Sequence, residues 1–154
     1  MEVTNLGFDL ARVNEIFNAK GGFISLATSD KEGETNIAPV GSVVFVDEQT
    51  LFMLRGPLKQ TYKNLKENPN AVFMAVNPNL SNWLKFIFTG KFGASYGYRI
   101  YTRLREETEI DSNHIKMAFK RYGVFARLKG ARVIESTLKK VLVFDILNVR
   151  EIVF

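Results

Sequence analysis

Short apolar segments alternate with polar turns along the chain at intervals of about ten residues, and this spacing constrains the fold most strongly. The first four segments are Gly22–Ser29, Thr35–Val46, Thr50–Arg55 and Ala71–Val76. Polar residues at 30–33 and 47–49 supply turns, which predicts two successive hairpins, a β-meander. Helical spacing is confined to short stretches that do not alternate with strands as a parallel βαβ fold requires. The pattern therefore predicts an antiparallel barrel or sandwich with peripheral helices.

Three stretches have apolar residues at the spacing of an amphipathic helix. They are Asp9–Lys20, Leu58–Asn68 and Asn113–Tyr122, with Ser112 as the predicted N-cap of the third. Further strands are predicted over Trp83–Ser95 with a kink at Gly90, over its antiparallel partner Tyr98–Glu109, and over Ala131–Ser136 and Lys140–Asn148. Residues Arg150–Phe154 are expected to extend the last strand. The 154 residues contain no repeat or linker, so we expect one domain spanning residues 1–154.

Two rare side chains exclude many kinds of site. The chain has no cysteine and one histidine, His114. Disulfides, thiolate nucleophiles, Cys-held iron–sulfur clusters and Cys-ligated zinc are therefore excluded, and so is any single-chain site that needs two imidazoles. We predict no metal site. The composition favours a binding protein, or an enzyme whose reactive group is a bound organic cofactor.

The net charge of +5 is distributed unevenly. Residues 1–98 hold nine basic and nine acidic side chains, whereas residues 99–140 hold eleven basic and five acidic ones, a balance of +6. A basic segment fits an anionic ligand or a nucleic acid. Nucleic acid is the less favoured partner, because acidic residues are interspersed and no nucleic-acid motif accompanies the basic ones.

The sequence gives no sign of targeting to a membrane. Residues 1–7 lack the basic and apolar regions of a signal peptide. The longest apolar run, Ala71–Val76, is far shorter than the ~20 residues that cross a bilayer. We therefore expect a soluble, cytoplasmic protein without a membrane partner.

One segment, residues 51–65, combines the end of a strand, a Gly-Pro turn and the start of a helix. Free backbone N–H groups and the helix dipole favour an anion at such a place. Arg55, Lys59 and Thr61 would add a guanidinium, an ammonium and a hydroxyl, which together predict a phosphate cradle. The alternative is that Lys59 and Lys63 only solvate the helix and that Thr61 bonds a local carbonyl. The glycine spacing of a P-loop is absent.

Three stretches follow one another in an order that is informative. They are T-N-I-A-P-V-G-S at 35–42, V-D-E-Q-T-L-F-M-L-R at 46–55, and L-K-Q-T-Y-K-N-L-K-E-N-P-N-A-V at 58–72. This order resembles the FMN-binding split barrels related to pyridoxamine 5'-phosphate oxidase, over roughly residues 10–78 with weaker support from 141–149. The resemblance implies a mainly β, antiparallel Greek-key split barrel. It also implies FMN as cofactor, an oxidoreductase activity on a small molecule, and a homodimer with flavins at the interface.

The resemblance also implies roles for individual residues. The flavin ring and ribityl chain would run beside Asn36, Ile37, Ala38, Pro39 and Val40, and Met53, Leu54 and Arg55 would follow the ribityl–phosphate part. The phosphate would be clasped by Lys59, Gln60 and Thr61, with Asn64 bracing the loop. Trp83 is a candidate wall of the site by its aromatic character only. No catalytic residue is assigned.

The precise activity and the cofactor stay open at this point. Authentic pyridoxamine-phosphate oxidases are longer and end in an Arg-Leu-x-Pro element that helps to bind substrate. Residues 148–154 of this chain read N-V-R-E-I-V-F instead. Pyridoxamine-phosphate oxidase activity is therefore not expected. Some split barrels bind the deazaflavin F420 or heme (haem) instead of FMN, and the basic segment 99–140 suits the acidic tail of F420. Two further hypotheses are a non-enzymatic barrel that binds polyanions or nucleic acid, and a flavin store or sensor.

Overall fold

The computed structural model of the protein describes residues 7–20, 22–41, 43–91, 95–120 and 138–153, together with residues 129, 133 and 136. Its strands are β1 (Ile24–Ser29), β2 (Thr35–Val40), β3 (Val43–Phe45), β4 (Thr50–Leu54), β5 (Asn70–Val76), β6 (Gly97–Glu109) and β7 (Lys140–Ile152). Its helices are α1 (Leu10–Phe17), α2 (Lys59–Glu67), α3 (Leu80–Thr89) and α4 (Ser112–Phe119). No helix within the described ranges combines the length and hydropathy needed to span a membrane.

All seven strands belong to one curled sheet. Their order is β2-β1-β5-β6-β7-β4-β3, and each neighbouring pair is antiparallel. The long strands β6 and β7 pair along their whole length, with register shifts at Tyr101/Thr102 and Leu104/Glu106. Such bulges increase the local twist and bend a sheet. The prediction of a mainly β, antiparallel split barrel with peripheral helices is confirmed.

The predicted strand Thr35–Val46 is wrong as one element, because the chain divides it into β2 and β3. These strands lie at opposite edges of the sheet, β2 beside β1 and β3 beside β4. The two hairpins are therefore not consecutive members of a meander. Pro39 cannot donate to a further strand and Gly41 lies in a bend, which suits an edge strand that ends here.

The core divides into two clusters on either side of β4. Leu51 and Met53 face the larger cluster, in which Phe73 and Phe144 meet edge to face with ring centroids 5.2 Å apart. Phe52 and Leu54 face a smaller cluster beneath α4. Because β4 is covered on both faces, its C-terminal end is a rigid starting point for the loop that leads to α2.

The predicted strand over Trp83–Ser95 is wrong over Trp83–Thr89, because residues 80–89 form α3, and its residues 92–94 lie outside the described residues. Asn79 caps this helix by accepting a hydrogen bond from the Ser81 N–H at 2.9 Å, and Gly90 ends it in the left-handed region with φ 68°. These caps are typical helix boundaries, and they override an apolar run that periodicity alone leaves ambiguous. The partners of β6 are consequently β5 and β7.

Other boundaries need smaller corrections. The N-cap of α4 is Asp111 and not Ser112, because the Asp111 carboxylate accepts from the His114 N–H at 2.8 Å. The predicted strand 131–136 falls mostly outside the described residues, of which Val133 and Ser136 are helical. The predicted extension of the last strand beyond 148 is confirmed, since β7 continues to Ile152.

Candidate functional site

The N-terminus of α2 is open to an anion. Its N-cap, Leu58, offers no side-chain hydrogen bond, and no acidic residue lies in the first turn. The first amides of a helix have no acceptor within the helix, and the dipole makes this end positive. Lys59 and Gln60 are exposed at this turn. The local sequence therefore leaves donors without a built-in acceptor.

A polar network joins this turn to two strands. The side chain of Asn36 on β2 donates to Thr61 Oγ1 at 3.1 Å, and Gln60 donates to Asn64 Oδ1 at 2.8 Å. The Asn64 amide in turn donates to Thr28 Oγ1 on β1 at 3.3 Å. Thr61 and Asn64 are each 1% exposed, whereas Asn36 is half-buried. We call Asn36, Lys59, Gln60 and Thr61 the α2 cradle, with Asn64 beneath it.

The remaining predicted residues of β2 differ in their exposure to solvent. Ile37 is 71% exposed and Pro39 is exposed, whereas Ala38 is buried in the core and Val40 is half-buried. Edge strands offer unpaired backbone groups to ligands and partners. Because side chains alternate along a strand, Ile37 is exposed on the face of β2 opposite to Asn36.

The predicted residues of β4 do not present side chains to the α2 cradle. Met53 is 1% exposed and Leu54 is 4% exposed, and each belongs to a core cluster. Their backbones pair within the sheet, Met53 opposite Val43 and Leu142. These two residues support the site through the fold.

Arg55 belongs to a different group of charges. Its Nη1 lies 3.0 Å from Glu107 Oε1, and its guanidinium stacks 4.5 Å from the ring centroid of Tyr62. Lys140 Nζ lies 3.9 Å from the same Glu107 oxygen and 2.7 Å from Glu109. We call these five residues the Arg55 cluster. Arg55 thus contacts Glu107 on β6 and Tyr62 on α2, the residue after Thr61, and its joint phosphate site with Lys59 and Thr61 stays a prediction.

Two pKa shifts characterise the Arg55 cluster. Burial raises the pKa of the Tyr62 phenol to about 12, against weaker lowering by Arg55 and by the Gly56 amide. The hydrogen bond to Glu109 raises the pKa of the Lys140 ammonium. At neutral pH the phenol is therefore neutral and the ammonium is charged.

His114 and Trp83 have structural environments. His114 completes a capping box on α4, in which its Nδ1 accepts from the Asp111 N–H at 3.4 Å, and its ring meets Phe52 edge to face at 5.0 Å. Trp83 is half-buried on α3 and packs edge to face against Tyr96 at 5.2 Å. Neither contact involves the α2 cradle.

A group of three carboxylates lies near the hairpin that joins β1 and β2. Asp30, Glu32 and Glu67 each place an oxygen within 4.8 Å of the others. Asp30 Oδ1 accepts from the backbone N–H groups of Glu32 at 3.0 Å and Glu34 at 2.9 Å. The position of Asp30 is therefore explained by the turn.

Sequence reasoning missed several participants in these sites. Thr28 is a hydroxyl in an apolar strand, and its partner Asn64 is 36 residues away. Glu107 and Lys140 meet Arg55 only through the pairing of β4, β6 and β7. The one signal in the sequence was the basic character of the segment 99–140, which does not specify a contact.

Comparisons with known proteins agree with this architecture. The profile of the family described as pyridoxamine 5'-phosphate oxidase matches residues 12–152. Among solved structures, an FMN-binding protein from Syntrophomonas wolfei subsp. wolfei is similar with a TM-score of 0.69 and 23% identity, over 94% of this chain and 86% of that chain. No curated protein matches the chain by sequence.

Two other structural neighbours have names that indicate different ligands. A protein named as an F420 reductase has a TM-score of 0.60 and 14% identity, over 88% of this chain and 94% of that chain. HutZ, a heme storage protein from Vibrio cholerae, has a TM-score of 0.56 and 16% identity, over 92% of this chain and 93% of that chain. The same fold therefore occurs in proteins whose names refer to three different cofactors, FMN, F420 and heme.

Proposed function

Because the chain belongs to the pyridoxamine 5'-phosphate oxidase family of FMN-binding split barrels, we propose that it binds FMN non-covalently and acts as an FMN-dependent oxidoreductase on a small molecule. The observation that carries this proposal is the α2 cradle, in which Asn36 of β2 meets Thr61 at the uncapped start of α2. The structural similarity to the FMN-binding protein from Syntrophomonas wolfei supports FMN as the ligand.

The donors of the α2 cradle fit a phosphate group. A phosphate needs hydrogen-bond donors and positive charge, and the first turn of α2 supplies backbone N–H groups, the Lys59 ammonium and the Gln60 amide without a nearby first-turn carboxylate. Thr61 is buried, so in this proposal it acts as a positioning residue that holds the Asn36 amide. Asn64 and Thr28 hold α2 against the sheet.

Bound FMN would supply hydride or electron transfer, and the protein would supply binding and orientation. The composition is consistent with this division, because the chain has no cysteine and its one histidine is engaged at the α4 cap. Lys59, Gln60 and the first amides of α2 would hold the phosphate. The β2 edge, from Asn36 to Val40, would lie beside the ring and the ribityl chain.

Absorption spectroscopy of the purified protein tests the cofactor. We expect flavin bands, either at isolation or after addition of FMN at micromolar concentration. If the denatured protein releases F420 or heme, identified by mass spectrometry, the released molecule and not FMN is the cofactor. A colourless protein that does not bind added FMN would contradict the proposal.

The variant Lys59→Ala/Thr61→Val tests the α2 cradle. We expect FMN affinity to fall about tenfold or more, since each charge-assisted hydrogen bond contributes roughly 1.5–3 kcal/mol. Lys63→Ala is the matched control, because it removes an exposed lysine from the same helix. The single variant Thr61→Ser keeps both the hydroxyl and Lys59, so it should bind FMN about as well as wild type. Equal affinities of the double variant and the Lys63→Ala control would contradict this assignment.

A further inference from the structure

A recess on the β7 side of the loop before α2 is a second place where cations gather. It has a volume of about 490 Å³ and is lined by Arg55, Gly56, Pro57, Lys139 and Lys140. Its size falls within the roughly 300–1,000 Å³ of small-molecule sites. A Cβ placed on Gly56 would meet no atom within 4 Å, so the backbone is open towards solvent at this point.

The lining of this recess shares no side chain with the α2 cradle. β4 is hydrogen-bonded to β7, and the Arg55 N–H donates to the Lys140 carbonyl at 2.9 Å directly beside the recess. Asn36 lies on β2, at the other end of the strand order. An anion in the recess would therefore use different side chains from a phosphate at Asn36 and Lys59.

The cations of the recess are already ordered around an internal carboxylate. Glu107 Oε1 lies 3.0 Å from Arg55 Nη1 and 3.9 Å from Lys140 Nζ. Stacking on Tyr62 restricts the Arg55 guanidinium and reduces the entropy that a ligand would have to overcome. Lys139 is exposed and forms no ion pair within the described part of the chain. Three cations thus face two carboxylates, Glu107 and Glu109.

The Glu107 carboxylate is displaceable. The side chains of Arg55 and Glu107 are 34% and 33% exposed, and ion pairs with this much solvent contribute little free energy. An incoming oxyanion that bridges Arg55 and Lys140 would replace the interaction of Glu107 and gain Lys139 as a further cation.

We propose that this recess binds a small molecule through an oxyanion, a phosphate or a carboxylate, and that Glu107 occupies the same cations when the ligand is absent. The site does not depend on the identity of the cofactor at the α2 cradle. It gives a specific role to part of the basic segment 99–140, which the FMN proposal does not use.

Calorimetric titration with inorganic phosphate, and separately with citrate, tests the site and distinguishes the two oxyanions. We expect saturable binding at millimolar concentration to wild-type protein. Glu107→Gln should tighten binding about two- to fivefold by removing the internal competitor. Lys140→Ala should weaken it about three- to tenfold. A preference for one probe that Lys140→Ala removes identifies the oxyanion that the recess accepts.

Matched variants separate the local effect from the change in net charge. Glu106→Gln removes an exposed carboxylate from the same strand, and Lys31→Ala removes an exposed lysine at the β1–β2 turn. Both should leave anion affinity within about twofold of wild type. The proposal is wrong if Glu106→Gln tightens anion binding as much as Glu107→Gln does. It is also wrong if wild-type protein and the Glu107→Gln variant both fail to bind phosphate and citrate. FMN affinity of Lys140→Ala should equal that of wild type, so failure here is distinct from failure of the FMN proposal.

Discussion

At the scale of single residues, amide and hydroxyl side chains connect α2 to the sheet. Asn64 is buried, accepts from Gln60 and donates to Thr28, and Asn68 donates to Ser29 at 2.9 Å. Each bond joins a helix residue to a neighbour or to β1. The α2 cradle therefore depends on polar groups that pack as part of the core.

Replacing Asn64 by Ala should reduce the free energy of unfolding by about 1–3 kcal/mol, because a buried partner of Thr28 is lost. Urea denaturation measures this change. Asn113→Ala is the control, since Asn113 is exposed on α4, and it should lie within about 0.5 kcal/mol of wild type. If Asn64→Ala has the same free energy of unfolding as the control, the hydrogen bonds of Asn64 do not stabilise the fold.

The sequence predicted part of the candidate site because those residues are local to one another. Lys59, Gln60 and Thr61 share the first turn of α2, and the turn signal Gly-Pro precedes them. The family resemblance added Asn36, which the structure brings to Thr61. The Arg55–Glu107 contact spans 52 residues and depends on strand register, for which a single sequence carries no direct signal.

At the scale of elements, caps decided the boundaries that periodicity did not. In α3 every residue is exposed or half-buried, so its apolar residues do not follow a core-facing pattern. Asn79 and Gly90 mark the two ends of α3. A glycine in the left-handed region is a usual end of a helix, and the prediction of a strand with a kink at Gly90 did not take this into account. The helices α1 and α2, which bury one face, were predicted from their spacing.

The cap of α4 makes stability depend on pH. The hydrogen bond from the His114 N–H lowers the pKa of the Asp111 carboxyl. A carboxyl with a lower pKa in the folded state stabilises the fold above its unfolded pKa of about 3.9, and this contribution is lost as pH falls through the folded value. Asp111→Asn keeps a cap without the charge, so wild type should melt higher than Asp111→Asn at neutral pH.

Thermal melting of both proteins along a pH series measures this dependence. The difference in Tm should shrink towards zero on acidification, and Asp111→Ala should melt lowest at neutral pH because it lacks a cap acceptor. A difference between wild type and Asp111→Asn that is constant with pH would exclude the charge as its cause.

At the scale of the whole molecule, the edge strand β2 exposes an apolar side chain on the face opposite to the α2 cradle. Ile37 is 71% exposed at the edge strand β2, next to Asn36. An exposed apolar residue beside an unpaired strand edge is a typical feature of an interaction surface. On this position and on the family resemblance, we propose that two chains associate with the flavin site at their interface.

Ile37→Glu tests this association. If β2 lies at the interface, a buried charge should shift the protein from dimer to monomer, because an unpaired charge is costly to desolvate. Light scattering after size exclusion should give about twice the 17.5 kDa chain mass for wild type and the chain mass for the variant.

Val46→Glu is the control, since Val46 is 54% exposed at the turn after β3. FMN affinity should fall with dimer content in Ile37→Glu and remain unchanged in Val46→Glu. A variant that stays dimeric while losing FMN would limit Ile37 to ligand contact, and a monomeric wild type that binds FMN would contradict a site shared between two chains.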